Sequence, residues 1–465
     1  MKKYEIGLIG LSVMGQNLAL NIARNHSIAV FNRTETKTRN FIKNKVKNQE
    51  LKATYKLEEF VSSLAKPRKI ILMIKAGKPV DLVIDSLLPY LEADDIIIDG
   101  GNSYFKDTNR RLRNLKEKNI KYLGVGISGG EAGALHGPSI MPGGNENAYA
   151  EVSDILEDAA ATTNKGACVS YLGPNSAGHY VKMVHNGIEY GIMEVLAEIY
   201  AYLDQVLQLK PDEIGDIFAD WNQDFDSYLV EITAKIMHQD DPKTGRKLID
   251  LILDKAKQKG TGKWSVQSAL NLGTAIPTIN AGVNARLVSA LKEERINNSS
   301  QFASSTRAVV EKKKMLPILK KTVFFSSVIA YAEGFKLLQA ASEEYNYDLN
   351  YKEIARIWEA GCIIRSGLLE PIQNAFKENR NLNSLITAQQ FKSQLNAAAE
   401  EIAPLVESAA KSGLPIPAIH AALDYFNSLK SKKLPANLIQ AQRDFFGAHT
   451  YQRTDDQGTF HTEWK

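Results

Sequence analysis

The chain opens with a strand, a glycine-punctuated turn and a helix in direct succession, and that order constrains the fold more than anything after it. Residues 4–9 form a short apolar run, and residues 17–24 carry helical spacing. Between them runs Gly7-Leu8-Ile9-Gly10-Leu11-Ser12-Val13-Met14-Gly15. Gly10 suits a tight strand-to-helix turn, and Gly15 suits close packing of helix on strand. The helix start then offers unpaired N–H groups and a positive dipole end to a pyrophosphate. Ser12 stands where the usual fingerprint has its middle glycine. Such glycines also make ordinary turns, so their place at the end of a first strand carries the argument.

The rest of the first third repeats the alternation. Residues 27–31, 69–74, 95–99 and 121–126 are short runs rich in Ile, Val or Leu, and 80–91 has helical spacing. This predicts an α/β Rossmann-like domain over residues 1–176, its doubly wound sheet mainly parallel and covered on both faces. From residue 178 to 207 apolar residues recur at helical intervals, and helical stretches continue to about 428. Residues 177–430 therefore read as a large all-α domain for substrate and dimerisation, with no sequence repeat standing out. Residues 431–465 are a short C-terminal tail, polar at its end, whose plain reading is a frayed end.

Composition excludes several classes. A net charge of +4 over 465 residues does not suggest a nucleic-acid or membrane-surface protein. Two cysteines, Cys168 and Cys362, rule out a disulfide framework and a cysteine-rich zinc site, so no metal is expected. No uninterrupted apolar run reaches membrane-spanning length. Glu5 and the glycines after Met1-Lys2-Lys3 favour a buried first strand over an export signal. A cytoplasmic protein is expected.

The strand ends point to the ligand. The second strand ends Phe31-Asn32-Arg33-Thr34, without the carboxylate that would hold a ribose 2′-hydroxyl. An arginine flanked by amide and hydroxyl suits a 2′-phosphate, so NADP is the expected cofactor, against the alternative of a solvated loop arginine. Ile74-Lys75-Ala76 and Gly100-Gly101-Asn102-Ser103 end the next two strands and face the same crevice, and Asn102 is placed to meet both nicotinamide and substrate. Ser128-Gly129-Gly130 offers a hydroxyl and open backbone N–H groups to an anion, or is a plain turn.

The sharpest pattern lies at the start of the helical part. Lys182, His185, Asn186 and Glu189 fall at i, i+3, i+4 and i+7, one face of a helix, with Tyr190 one turn beyond Asn186. A polar stripe is often a solvated face. Here the residues that follow, Ile192 to Ile199, are too apolar for a surface helix, and buried polar groups need a partner or a ligand.

Taken together, these motifs resemble the 6-phosphogluconate dehydrogenase (decarboxylating) family. Gly260-Thr261-Gly262-Lys263-Trp264, Arg286 and Arg443-Asp444-Phe445-Phe446-Gly447-Ala448-His449-Thr450 extend the likeness along nearly the whole chain, in order. The resemblance implies oxidation of 6-phosphogluconate at C3 with reduction of NADP to NADPH, then loss of CO2 to give ribulose 5-phosphate, a reaction of the oxidative pentose phosphate pathway. It implies that Lys182 is the general base and Glu189 the acid that protonates C1 of the enediol. Gly10, Leu11, Ser12, Val13, Met14, Gly15, Asn32, Arg33, Thr34, Ile74, Lys75, Ala76 and Asn102 would hold the cofactor. Asn102, Ser128, Gly129, Gly130, His185 and Asn186 would hold the sugar acid, and Tyr190, Lys263, Arg286 and Arg443 its phosphate, with His449 beside them. It also implies a homodimer in which each tail completes the neighbouring active site.

Three stretches depart from the family pattern: Ser12 replaces an alanine, residues 131–137 read Glu-Ala-Gly-Ala-Leu-His-Gly, and Glu359-Ala360 replaces Arg-Gly after Trp358. Two other readings compete. A β-hydroxyacid dehydrogenase for a small unphosphorylated acid would be shorter and lack the Lys263, Arg286 and Arg443 set. A retired nucleotide-binding scaffold would have lost Lys182 or Glu189.

Overall fold

The computed structural model describes residues 2–47, 49–258, 260–303 and 305–464; Met1 and Lys465, the outer bounds of the expected first domain and tail, lie outside the described residues. Seven strands form one sheet: β1 (Ile6–Ile9), β2 (Ile28–Phe31), β3 (Leu51–Thr54), β4 (Lys69–Leu72), β5 (Ile96–Asp99), β6 (Lys121–Ile127) and β7 (Ile140–Gly144). Their order is β3-β2-β1-β4-β5-β6-β7, parallel except for β7, which pairs antiparallel with β6. The chain winds outward from β1 to β3, then returns to β4 and winds the other way. The switch between β1 and β4 opens a crevice at their carboxyl ends. Helices cover both faces, so the central strands are buried on both sides and read as continuous Ile/Val/Leu runs.

β3 and β7 escaped the sequence pattern. Leu51-Lys52-Ala53-Thr54 is an edge strand only partly buried. β7 contains Pro142 and two glycines, which read as a turn; an edge strand tolerates them because its outer side meets only an irregular segment, residues 168–173, and the Pro142 carbonyl there accepts from Leu172 at 2.9 Å. The first helix, α1 (Val13–Ile22), begins earlier than its apolar spacing suggested, directly after the glycine turn. The helical stretch at 80–91 resolves into a helix at Lys78–Leu87 and a 3-10 turn at Leu88–Tyr90.

The second domain hangs on two long helices. α2 (Ala177–Ala201), followed by a π turn at Tyr202–Val206, leads through helices at Pro211–Phe225 and Tyr228–His238 into α3 (Thr261–Asn271) and α4 (Pro277–Ala290). α5 (Lys312–Tyr345) leads likewise through Tyr351–Ile357, Leu369–Glu378, Gln389–Glu401 and Ala403–Lys411 into α6 (Pro417–Lys430). The domain is thus a structural duplication that the sequence hides. Its clearest trace is Ile-Pro before α4 and α6, with Ile276 at φ −136°, ψ 57° and Ile416 at φ −133°, ψ 56°. α5 is long and apolar enough to cross a membrane, but 67% of its most apolar window is buried inside the domain, as in a core helix. The tail folds as α7 (Ala436–Gly447), after which Tyr451 and Phe460 form an antiparallel bridge, so it is not a frayed end.

Candidate active site

The glycine turn is built by backbone geometry. Gly10 has φ +106°, and a Cβ there would lie 2.5 Å from the Met73 carbonyl oxygen, so both torsion and space demand glycine. Asn32 at the end of β2 clasps the turn: its Oδ1 accepts from the Leu11 N–H at 3.0 Å, and its Nδ2 donates to the Thr34 carbonyl at 3.1 Å. Ser12 caps α1 without a side-chain hydrogen bond, so the first N–H groups of the helix keep their capacity for an anion. Val13 beside them is 51% exposed. Arg33 and Thr34 are exposed at the tip of β2, and Lys75 is exposed past the end of β4, between the half-buried Ile74 and Ala76.

Asn102 has φ +52° and is tied to the last residue of β6. Its Nδ2 donates to the Ile127 carbonyl at 3.2 Å, and its Oδ1 accepts from the Ile127 N–H at 3.1 Å. Below it Asp99 is fully buried, accepting from the Gly101 N–H, the Ser103 and Tyr122 hydroxyls and the Arg111 guanidinium. This network fixes the loop between β5 and the substrate side.

α2 lies against β6 at very short range. A Cβ on Gly126 would sit 2.4 Å from the Lys182 Cβ, so glycine in the strand lets the lysine's helix approach. The polar face then closes on itself. Lys182 is 5% exposed; its Nζ donates to Asn186 Oδ1 at 2.7 Å and lies 3.3 Å from His185 Nδ1. His185 Nε2 is 3.2 Å from Ser128 Oγ, and His185 Nδ1 is 3.9 Å from Glu189 Oε2. Gly129 and Gly130 follow Ser128 at positive φ, and beside Gly130 the space is open.

Burial sets the protonation states. It lowers the Lys182 ammonium to about 8, although the carboxyl of Glu189 and the thiol of Cys362 favour its charge. Burial likewise raises the Glu189 carboxyl, with Lys182 and Arg286 opposing. His185 is held well below its ordinary value by burial, then by Lys182, so its imidazole is neutral. The face therefore pairs a lysine poised to lose a proton with a carboxyl poised to keep one.

A second corner lies next to this face. Arg286 on α4 stacks on the Tyr190 ring with its guanidinium carbon 3.5 Å from the centroid. Thr261, the first residue of α3, accepts from Asn186 Nδ2 at 3.0 Å. Sequence reasoning passed over Thr261 in favour of Lys263. Yet Ser265 Oγ donates to the Met183 carbonyl at 2.8 Å, which fixes the inward face of α3. Lys263, two residues from both Thr261 and Ser265, is exposed, and no bond among the described residues ties it to this corner. Helical phase from Thr261 and Ser265 was the available signal.

Trp358 and Cys362 were also missed as neighbours of the face. Trp358 is fully buried with its ring 5.6 Å from that of His185 at 75°, and Cys362 Sγ donates to the Trp358 carbonyl at 3.0 Å. Burial pushes the Cys362 thiol up to about 12, so it stays protonated. Nothing local in sequence joins residue 358 to residue 185. Arg443 and His449 are exposed on the tail of the same chain, where Arg443 donates to Gln440 at 3.1 Å, and no bond among the described residues ties either to this face.

The chain is similar to known proteins along its whole length. Residues 5–173 match the family described as the NAD binding domain of 6-phosphogluconate dehydrogenase, and residues 178–464 match its C-terminal domain. The NADP(+)-dependent, decarboxylating 6-phosphogluconate dehydrogenase of Bacillus subtilis is 51% identical over 468 residues, covering 100% of both chains. The decarboxylating enzyme of Escherichia coli K12 is 47% identical with the same coverage. A solved structure of Plasmodium falciparum 6-phosphogluconate dehydrogenase superposes with a TM-score of 0.95 at 44% identity, covering 99% of this chain and 100% of its own. This chain belongs to the 6-phosphogluconate dehydrogenase family.

Proposed function

We propose that this protein oxidises and decarboxylates 6-phosphogluconate to ribulose 5-phosphate and CO2, with NADP reduced to NADPH. The Bacillus subtilis relative carries that cofactor and decarboxylation in its name, and the Plasmodium falciparum structure was solved with NADP+ and with 6-phosphogluconate. The observation that carries the reading is the shared face of α2: a buried lysine lowered to about 8 beside a carboxyl raised by burial.

The residues fit the cofactor. The uncapped start of α1, the Gly10 turn and the exposed Val13 offer a cradle to a pyrophosphate, and Leu11, Met14 and Gly15 complete it. Arg33, Thr34, Asn32 and Lys75 suit a 2′-phosphate, and Ile74, Ala76 and Asn102 border the path to the sheet's switch point. When bound, NADP supplies the hydride acceptor.

Lys182, neutral in part near its lowered pKa, takes the proton from the C3 hydroxyl. Its ammonium then faces the new ketone oxygen and stabilises the charge that develops there as CO2 leaves. Asn186 and His185 hold the Lys182 amine in place, and Ser128 links His185 to the Gly129-Gly130 turn, which suits the carboxylate. Glu189, whose carboxyl is raised by burial, delivers a proton to C1 of the enediol. Tyr190, Arg286 and Thr261 form the phosphate corner, joined by Lys263 two residues along α3.

The tail supports a homodimer with shared active sites. Leu438, Ile439, Phe445 and Phe446 are 59–72% exposed, an apolar surface suited to a second copy, and Arg443 and His449 travel with it. Residues 1–176, 177–430 and 431–465 then serve as cofactor, substrate and exchange segments. Two buried, unpaired thiols suit a reducing compartment such as the cytoplasm. The test is to incubate the purified protein with 6-phosphogluconate and each nicotinamide cofactor, following reduced cofactor and CO2. Turnover of 3-hydroxyisobutyrate in place of 6-phosphogluconate would overturn the reading.

A further inference from the structure

The tail is organised around one carboxylate. After α7 the chain reverses through Ala448 at φ +49° and Thr450 at φ +59°. It then returns through the Tyr451–Phe460 bridge, closed by N–H to carbonyl bonds of 2.9 and 2.8 Å. Asp444 lies at the centre. Its side chain is 0% exposed, while the next two residues, Phe445 and Phe446, are 63% and 72% exposed. Asp444 Oδ1 accepts from the Thr450 N–H at 2.9 Å and lies 2.9 Å from His461 Nδ1. Oδ2 accepts from the Thr462 N–H at 3.0 Å and from the Trp464 indole N–H at 2.8 Å. Gln440 Nε2 adds a bond to the Thr450 carbonyl.

A buried carboxylate costs free energy unless its lone pairs are filled, and here both oxygens are doubly engaged. Burial alone would raise this carboxyl, but the four donors outweigh it and hold the group well below the usual carboxylate range. The result is a folded segment, from a stretch whose composition promised a loose end. Arg443 precedes the hub by one residue, and His449 precedes Thr450, which the hub grips.

We propose that Asp444 is a positioning residue: by gathering Thr450, His461, Thr462 and Trp464 onto one carboxylate, it folds the tail before docking, so that Arg443 and His449 enter the neighbouring active site as a preformed pair. This rests on the reading that the tail acts in the partner. A preformed segment has less freedom to lose on docking than a loose one, and the two groups keep a fixed spacing on a phosphate.

Asp444→Asn tests it, because the amide replaces one acceptor oxygen with a donor aimed at two donors. The full-length variant should raise the KM for 6-phosphogluconate about tenfold or more, the scale of one lost charged contact. NADP affinity should stay unchanged. A chain ending at residue 459 keeps Arg443 and His449 but removes three of the four donors, and it should behave alike even where Asp444→Asn dimerises poorly. Co-expression separates the two readings. A hybrid of Lys182→Met with Asp444→Asn should regain activity, because the Lys182→Met subunit lends a sound tail to the intact lysine of the other. A hybrid of Lys182→Met with Arg443→Ala tests tail exchange alone. Recovery in the Arg443 hybrid with wild-type KM in both Asp444→Asn and the shortened chain overturns the role of Asp444 and leaves exchange standing. No recovery in the Arg443 hybrid overturns exchange itself.

Discussion

α2 and α5 are the same device used twice, and our proposal puts the chemistry on only one of them. Each runs through its half of the helical domain to a buried glutamate, and each glutamate caps the Ile-Pro helix of the other half. Glu333 on α5 accepts from the Thr278 and Ile279 N–H groups of α4 at 2.9 and 3.0 Å. Glu198 on α2 accepts from those of Ala418 and Ile419 of α6 at 2.6 and 2.9 Å. At the other end the likeness stops. At the distances from its glutamate where α2 carries Lys182, His185, Asn186 and Glu189, α5 carries Pro317, Lys320, Lys321 and Phe324. Lys320 and Lys321 reach Asp224 and Glu401 at the surface, whereas Lys182 is buried with no carboxylate bonded to it. The sheet makes the difference. α2 is pressed onto β6, where Gly126 admits Lys182 and shuts out water. The same helix on the far side of the domain leaves its lysines to solvent.

The largest effects should fall where the two helices diverge. Lys182→Met should lower turnover by about 10³-fold or more, the range of a lost general base, with NADP affinity unchanged. Lys320→Met and Lys321→Met should stay within about twofold, because exposed ion pairs contribute little. NADPH formation measures all three. Stability should move the other way. The Lys182 pKa is lower folded than unfolded, so its neutral form is favoured by folding, and stability falls as pH drops from the ordinary lysine range to about 8 and is level below it. Lys182→Met removes that penalty and should raise Tm at pH 7, where the Lys320 variant should not.

The pH profile sharpens the same contrast. Lys182 must be neutral to act as base, so kcat/KM should climb tenfold per unit as pH rises toward about 8. Glu189 must be protonated to act as acid, so a second limb should fall at higher pH. Glu189→Gln should erase that alkaline limb and cut kcat by about 10²-fold, because an amide cannot deliver the proton. A profile with no acid limb in the wild type would remove Lys182 from the base role.

What the sequence made legible follows physical locality. The polar stripe of α2 was readable because helical period alone puts Lys182 and Glu189 on one side. The glycine turn was readable because its position between strand and helix is itself the signal. Thr261 was overlooked because charge drew attention to Lys263, while the inward face of α3 is set by helical phase. Trp358 lies far along the chain from His185 and meets it only through the fold. The duplication left few shared residues beyond the Ile-Pro starts and the glutamates that cap them, since two packed halves need the same geometry rather than the same side chains. The tail looked loose because it has no apolar period; its order comes from a single aspartate, Asp444, which no periodicity reveals.

The smallest effect probes the end where α2 and α5 agree. Glu198→Ala and Glu333→Ala each strip two buried N–H groups of their partner, at a cost of about 2–5 kcal/mol, and the two losses should match. Both carboxyls are pushed up to about 8 by burial, against the pull of the N–H groups. A raised folded pKa means stability present at low pH and lost as pH rises through about 8. Glu198→Gln and Glu333→Gln cannot ionise, so their Tm should fall less than the wild type's between the ordinary carboxylate range and about pH 8. Catalysis should break the tie. Glu333 holds the start of α4, and α4 carries Arg286 over Tyr190; Glu198 holds α6, which carries no group of the site. Glu333→Ala should therefore raise the KM for 6-phosphogluconate by about threefold while Glu198→Ala leaves it alone, a modest second-sphere cost at an anion site. Equal KM values in the two variants would mean that Arg286 is held by its own stacking, and that the two halves are alike at this end in function as well as form.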